Sequence, residues 1–151
     1  MSKVIQMILS GIFFTFILDF FIFLGIKQNY IDPNNIGVYY NILFADHQNI
    51  YIFIVVSLLV GFIVMYLPTK ITLATIGTLF LLSLATLVPS LGKRVGETLL
   101  MKKDITISTN KFTYHGDLLY DGRKKITFYD YELKKDIILD KNKIKQIKGN
   151  Y

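Results

Sequence analysis

The sequence contains no cysteine, and its first 91 residues carry very little charge. Without cysteine the chain can form no disulfide, no thiolate metal site and no cysteine nucleophile. The charges of the first 91 residues balance, so the whole net charge of +6 arises in residues 92–151. Those few charges are three lysines and three aspartates: Lys3, Lys27, Lys70, Asp19, Asp32 and Asp46.

Recognisable catalytic patterns are also missing. The two histidines, His47 and His115, lie in different segments and show no metal-ligand spacing. No Gly-x-Ser-x-Gly motif occurs, and the glycines at 92–96 lack the spacing of a phosphate-binding loop. The sequence therefore predicts a protein that is not an enzyme and needs neither cofactor nor metal. An enzyme that uses Asp19 or the pair Asp46 and His47 is a minor alternative.

What the chain does have is three long apolar runs, at 4–26, 50–67 and 71–91, in a chain with a mean hydropathy of +0.44. Each is close to the length that an α-helix needs to cross about 30 Å of hydrocarbon. The first run is longer than a signal-peptide core and lacks a small-residue cleavage site. The sequence therefore predicts an integral membrane α-helical protein with three transmembrane helices in residues 1–91.

The segments between these runs predict turns and one short helix. Residues 27–49 contain turn-forming residues and an aromatic cluster, which favour an interfacial loop with a short helix near 36–45. Pro68, Thr69 and Lys70 leave room only for a tight turn, so helices two and three should be antiparallel neighbours. Pro89 lies in the last turn of the third run, where we expect a kink.

Residues 92–151 form a basic C-terminal segment with fourteen Lys or Arg against eight Asp or Glu. A helical extension is expected near 92–103, and from Asp104 the apolar pattern changes towards the period of a strand. About five short strands follow, which predicts a small C-terminal β-meander domain. Asp121 and Gly122 are expected to form the type I′ turn of a hairpin.

Small and hydroxyl residues recur on single faces of the predicted helices. Such faces allow helices to approach closely and hydrogen-bond to each other. On the second and third helices they pack helices within one subunit, or they form a self-association face that lines a pore. On the first helix Asp19 is either a proton or cation site or an acid near the interface that snorkels or accepts hydrogen bonds from a neighbouring helix. The first helix carries an intramembrane polar seam of Gly11, Thr15 and Asp19, the second a small-residue contact of Ser57 and Gly61, and the third a packing or pore face of Thr72, Thr75, Ser83, Thr86 and Ser90.

Basic residues near the ends of the predicted spans indicate an orientation. Lys3 and Lys70 lie on one side, whereas Lys27 and the basic residues that follow the third span lie on the other. The larger count favours a cytoplasmic C-terminal domain in a multi-pass protein of the cell (inner) membrane. The residues expected to meet anionic headgroups at the membrane surface are Lys93, Arg94, Lys102 and Lys103.

The expected function follows from an apolar anchor joined to a β-domain that is small for a separate core. We expect an accessory or scaffold subunit of a membrane complex, whose β-domain docks a partner. The alternative is a homo-oligomeric channel or membrane-perturbing effector gated through the C-terminal domain. The expected partners are the lipid bilayer and other membrane-protein subunits or further copies of this chain. Nucleic acid is not expected, because mixed basic and aromatic residues occur in any amphipathic strand of a lysine-rich protein.

Overall fold

The computed structural model describes residues 2–149, which form five α-helices followed by a five-stranded antiparallel sheet. The longest helix, α1, spans Lys3–Ile26, and its first turn is capped by Ser2, whose side chain accepts a hydrogen bond from the Ile5 amide. A π-helical turn, Lys27–Ile31, continues α1 without a break. The remaining helices are α2 (Tyr40–His47), α3 (Ile50–Tyr66), α4 (Thr69–Ala85) and α5 (Pro89–Leu100).

Two sharp bends set the shape of the helical part. The helices α2 and α3 meet at 86°, and α4 and α5 meet at 87°. Within residues 2–149 only the continuous helix Lys3–Ile31 is by itself long and apolar enough to cross a membrane. The count rises to as many as three spans when each bent pair is taken as one span.

The helices α1 and α3 pack against each other in antiparallel orientation through glycine. A Cβ added at Gly11 would overlap the Ser57 carbonyl, and one at Gly61 would overlap the Met7 carbonyl. The contact nearer the start of α1 involves the residue that comes later in α3, so the two helices are antiparallel. The lack of side chains at the two glycines lets the backbones approach closely. Helix α1 also packs against α4, so it lies between α3 and α4, which touch each other only slightly. The expectation that the second and third apolar helices are close neighbours is therefore wrong.

The sheet consists of β1 (Lys102–Thr109), β2 (Thr113–Asp121), β3 (Lys125–Asp130), β4 (Lys135–Asp140) and β5 (Ile144–Lys148), in the spatial order β4-β3-β2-β1-β5. A single 3₁₀ turn, Lys141–Lys143, joins the two outermost strands. A flat sheet of five strands is about 19 Å wide, whereas a 3₁₀ turn of this length rises only about 6 Å. The sheet must therefore curl into an open barrel, in which the edge strands β4 and β5 do not pair with each other, and we call it the barrel.

The interior of the barrel is one of two apolar cores. It contains Ile105, Ile107, Leu118, Ile126 and Phe128, all of which are buried. The second core lies outside the barrel, where Leu119 and Tyr120 of β2 pack on the helices. Its other members come from the end of α1, the π turn, the loop that follows it, α2 and α5. They are Phe23, Ile26, Tyr30, Ile31, Ile36, Leu43 and Leu100.

The helices predicted at 4–26 and 50–67 are present, and the short helix predicted near 36–45 lies at Tyr40–His47. The third predicted helix, at 71–91, is wrong at its end, because α4 stops at Ala85. Pro89 does not kink it but occupies the first turn of α5, where a missing N–H is tolerated.

Two predictions about the basic segment also need correction. The helical extension ends at Leu100 instead of 103, so Lys102 and Lys103 belong to β1. The hairpin at Asp121 and Gly122 is present, but its loop has three residues and none of the glycines described has a positive φ. A type I′ turn is therefore absent there. Strands β1 to β4 form a meander, from which β5 departs by pairing with β1.

Candidate functional site

A buried hydrogen bond joins the barrel to the helices. Tyr30 lies on the π turn, is 1% exposed, and its hydroxyl donates to the Leu119 carbonyl oxygen at 2.8 Å. The Tyr30 ring packs against Gly96 of α5, where a Cβ would overlap the ring. The π turn, α5 and β2 therefore meet at a single side chain.

Residues of α1 and of the π turn contact the corner between α4 and α5 and fix its position. The Asn29 amide nitrogen donates to the carbonyl oxygens of Thr86 and Leu87 at 3.0 and 3.1 Å. Thr86 is the C-cap of α4 and Leu87 follows it, so both carbonyls lie beyond the hydrogen bonds within that helix. Gly25 and Gly92 provide the space, since a Cβ at either position would overlap the Thr86 carbonyl. The corner thus fixes the direction in which α5 leaves the bundle.

A second attachment joins the loop of the β2–β3 hairpin to α2. The Arg123 guanidinium donates through Nε and Nη2 to both oxygens of Asp46, at 2.5 to 3.0 Å. Such a forked pair fixes orientation as well as distance. Because α2 and the π turn hold the barrel at two separate points, rotation of the barrel about Tyr30 is restricted.

A groove of about 410 Å³ opens between α2, the end of α5 and the barrel. Its charged lining consists of Lys102, Arg123 and Lys141 against Asp46 and Asp121, and Lys141 pairs with Asp121 at 2.5 Å. The two carboxylates are each paired with a cation, and together with Lys102 the lining has a formal charge of +1.

His47 also lines this groove, and its ring lies 5.4 Å from the ring of Tyr120 between centroids. Among the residues described, His47 Nε2 and the Tyr120 hydroxyl are buried without a hydrogen-bond partner. Burial raises the pKa of Tyr120, so its hydroxyl remains protonated at neutral pH. Residues 2–149 hold no group of three or more histidine, aspartate or glutamate side chains that could bind a metal ion.

The polar seam predicted on α1 is distributed over different contacts. Gly11 packs on α3, and Thr15 is buried with a hydroxyl that has no partner within residues 2–149. Asp19 is half-buried and accepts a hydrogen bond of 2.8 Å from Gln48, which directly precedes the cap of α3. The Asp19 carboxylate therefore lies level with the start of α3.

Ser57 and Gly61, the small residues predicted for a helix contact, lie on α3 against α1. The hydroxyl face predicted on helix three is split by the break after Ala85. The Thr86 hydroxyl lies within hydrogen-bond distance of the Phe21 and Ser83 carbonyls, at 3.1 and 2.7 Å. The Thr72 hydroxyl donates a hydrogen bond to the Ile63 carbonyl oxygen, near the turn between α3 and α4. Of the other members, Thr75 is half-buried, Ser83 is buried, and Ser90 is exposed on α5.

The predicted membrane-surface residues form two separate pairs. Lys93 and Arg94 are exposed on α5, and Lys93 lies 3.8 Å from Glu97. Lys102 and Lys103 are exposed at the start of β1, beside the groove.

The residues that join the two parts of the molecule were not predicted as a site. Nothing in the sequence marks Tyr30, Asn29 and Arg123 as members of one site, because the partner of each lies more than 50 positions away in the chain. A signal for the α5 contact does exist in Gly92, Gly96 and Leu100, which recur at four-residue spacing and form the buried face of that helix.

Comparison with known proteins gives no relative. No family model matches the chain, and neither the curated proteins nor the solved structures contain a significant match. The geometry described above is therefore the basis for any assignment of function.

Proposed function

We propose that this chain is a non-enzymatic integral membrane protein that holds its barrel in a fixed position at the membrane surface as a docking module for a partner subunit. The buried hydrogen bond between Tyr30 and Leu119 supports this proposal most strongly, because it joins the barrel to the longest apolar helix without a flexible linker. A domain that was connected to the helices only by a flexible linker would need no such contact.

In this proposal α1, α3 and α4 are three transmembrane helices. Large apolar side chains on all three face outward, including Phe13, Leu59 and Leu73. Contiguous apolar surface of this extent is costly in water but favourable in lipid. The near-perpendicular helices α2 and α5 lie on the side of the bundle that carries the barrel, and the excess of basic residues there favours the cytoplasmic side.

The barrel has two edges, and they differ in a way that favours β4 as the docking edge. The β5 edge carries Lys145 and Lys148, and exposed lysines protect an edge from pairing with other chains. The β4 edge carries one lysine, Lys135 at its first position, and has Ile138, which is 62% exposed, near its centre. An extended segment of a partner could add to this edge by backbone hydrogen bonds.

The test is purification of the tagged full-length protein from its native membranes in a mild detergent. We expect a partner at constant stoichiometry with the wild type, and its loss with Ile138→Lys. Phe112→Lys is the matched control, because Phe112 is equally exposed but lies in the β1–β2 turn. A strictly monomeric wild type, or equal recovery of the partner with both variants, would contradict the proposal.

The homo-oligomeric channel is the second candidate, but the contacts of the hydroxyl face favour the docking subunit. Ser83 is buried and the Thr86 hydroxyl lies against a carbonyl of α1, so this part of the face is occupied within one chain. Conductance in reconstituted bilayers that falls with Asp19→Asn and Thr86→Leu would favour the channel instead.

A further inference from the structure

Helix α5 has three distinct faces. Gly92, Gly96 and Leu100 form the buried face, which packs on the π turn. At 100° per residue, one flank of this face is apolar and contains Leu91, Val95 and Leu99. Leu91 and Leu99 are exposed to 44% and 58% although they are large and apolar.

The opposite flank of α5 is polar. Ser90, Lys93 and Glu97 lie there, and Lys93 is close enough to Glu97 for a weak ion pair. A helix with one apolar flank and one polar flank, set at 87° to the helix before it, is suited to lie in the plane of a membrane interface.

Arg94 lies where the polar side of α5 borders the apolar flank. A shallow groove of about 260 Å³ runs along this border and is lined by Arg94, Val95, Thr98 and Leu99. Within the part of the chain that the structure describes, the Arg94 guanidinium makes no hydrogen bond or ion pair. The Thr98 hydroxyl already donates to the Arg94 carbonyl oxygen at 2.8 Å. The guanidinium is the charged group among the side chains that line this groove.

We propose that α5 binds an anionic phospholipid, with the phosphate at Arg94 and an acyl chain along Val95 and Leu99. A guanidinium presents paired N–H donors that match a phosphate, and it gives up less hydration than an ammonium does. An acyl chain would pack against the apolar flank, whereas a soluble phosphate would make no use of it. This inference rests on the membrane location proposed above, but not on the docking role of β4.

The experiment uses the full-length protein reconstituted in nanodiscs of phosphatidylcholine and phosphatidylglycerol, re-extracted in a mild detergent and analysed by native mass spectrometry. The wild type should retain phosphatidylglycerol in preference to phosphatidylcholine. Arg94→Gln should lower that preference roughly five-fold, the effect of one well-placed cation, whereas Arg94→Lys should lower it less. Lys111→Gln removes the same charge from the β1–β2 turn and should leave the preference unchanged.

A second pair of variants tests the acyl-chain contact. Leu99→Ser should reduce retention of the lipid, while Leu133→Ser, at a similarly exposed site on the barrel, should not. A wild type without preference for the anionic lipid would overturn the proposal. Equal losses with Arg94→Gln and Lys111→Gln would overturn it too, because the attraction would then come from net charge. These outcomes are independent of whether Ile138→Lys releases a protein partner.

Discussion

The Tyr30 hydroxyl donates a buried hydrogen bond to the Leu119 carbonyl oxygen, 89 positions away in the chain. This contact lies between an apolar helix and a β-strand that belong to different halves of the sequence. The Arg123–Asp46 pair joins the same two halves at a second point. Both contacts act against independent movement of the barrel relative to the helices.

Replacing Tyr30 by phenylalanine should loosen this junction. The substitution removes this hydrogen bond to the Leu119 carbonyl, and an intramolecular hydrogen bond typically contributes about 0.5–1.5 kcal/mol. We expect a lower melting temperature in detergent and faster amide hydrogen exchange in β2. Tyr39→Phe is the control, because Tyr39 is 78% exposed. Within residues 2–149 its side chain makes no hydrogen bond and no contact with another aromatic ring. Equal effects of the two substitutions would show that the hydroxyl is not essential.

Gly96 should tolerate no side chain. A methyl group there would overlap the Tyr30 ring, so Gly96→Ala should destabilise the protein by about 1–3 kcal/mol. Gly77→Ala is the matched control, because Gly77 lies within α4 and a Cβ there meets nothing within 4 Å. Its helix should gain up to about 1 kcal/mol. Thermal melting of both variants in the same detergent distinguishes the two effects, and a stable Gly96→Ala protein would contradict the described packing.

The barrel contains a tyrosine with a measurable pH signature. The Tyr131 hydroxyl donates to Asp117 at 2.6 Å, and this bond raises the pKa of Tyr131 to about 12. An unfolded tyrosine has a pKa of about 10, so the contribution to stability is present below that pH and is lost as pH rises towards 12. The absorbance difference between wild type and Tyr131→Phe should therefore show a tyrosinate that forms near pH 12. Formation near pH 10 would contradict the contact.

The absence of cysteine makes membrane topology simple to test. With three spans, Lys70 at the start of α4 and Lys111 in the barrel lie on opposite sides of the membrane. A membrane-impermeant maleimide added outside intact cells should label Lys70→Cys but not Lys111→Cys. Labelling of both from the same side would contradict three spans, and labelling of Lys111→Cys alone would reverse the orientation.

The elements that could be predicted from the sequence are those with local causes. An uncharged run is sufficient to predict α3, and alternation with a turn is sufficient to predict the β2–β3 hairpin. Pro89 is a local signal for the break between α4 and α5, because the residue before a proline is disfavoured in a helix. The direction in which α5 leaves could not be predicted in this way, because the Asn29 side chain that bonds to Thr86 comes from 57 positions away. Hydropathy across 71–91 gives no sign of that contact.

The same distinction explains the predictions about the site. Gly11, Ser57 and Gly61 could be selected from their spacing, whereas their mutual contact follows only from the antiparallel packing of α1 and α3. The role of Tyr30 was not predictable, because a tyrosine near the end of an apolar helix usually indicates the headgroup layer. Its partner is a backbone carbonyl, which leaves no trace in the sequence of β2.

A distance measurement tests most directly the central claim that the barrel is held fixed on the helices. Spin labels at Thr78→Cys in α4 and Lys145→Cys in β5 occupy exposed positions of an otherwise cysteine-free chain. Double electron–electron resonance in nanodiscs, with labelled protein diluted by unlabelled protein, reports the distance within one molecule. We predict a single narrow distribution for the wild type and a broader one for Gly96→Val. A broad distribution for the wild type itself would contradict a fixed barrel.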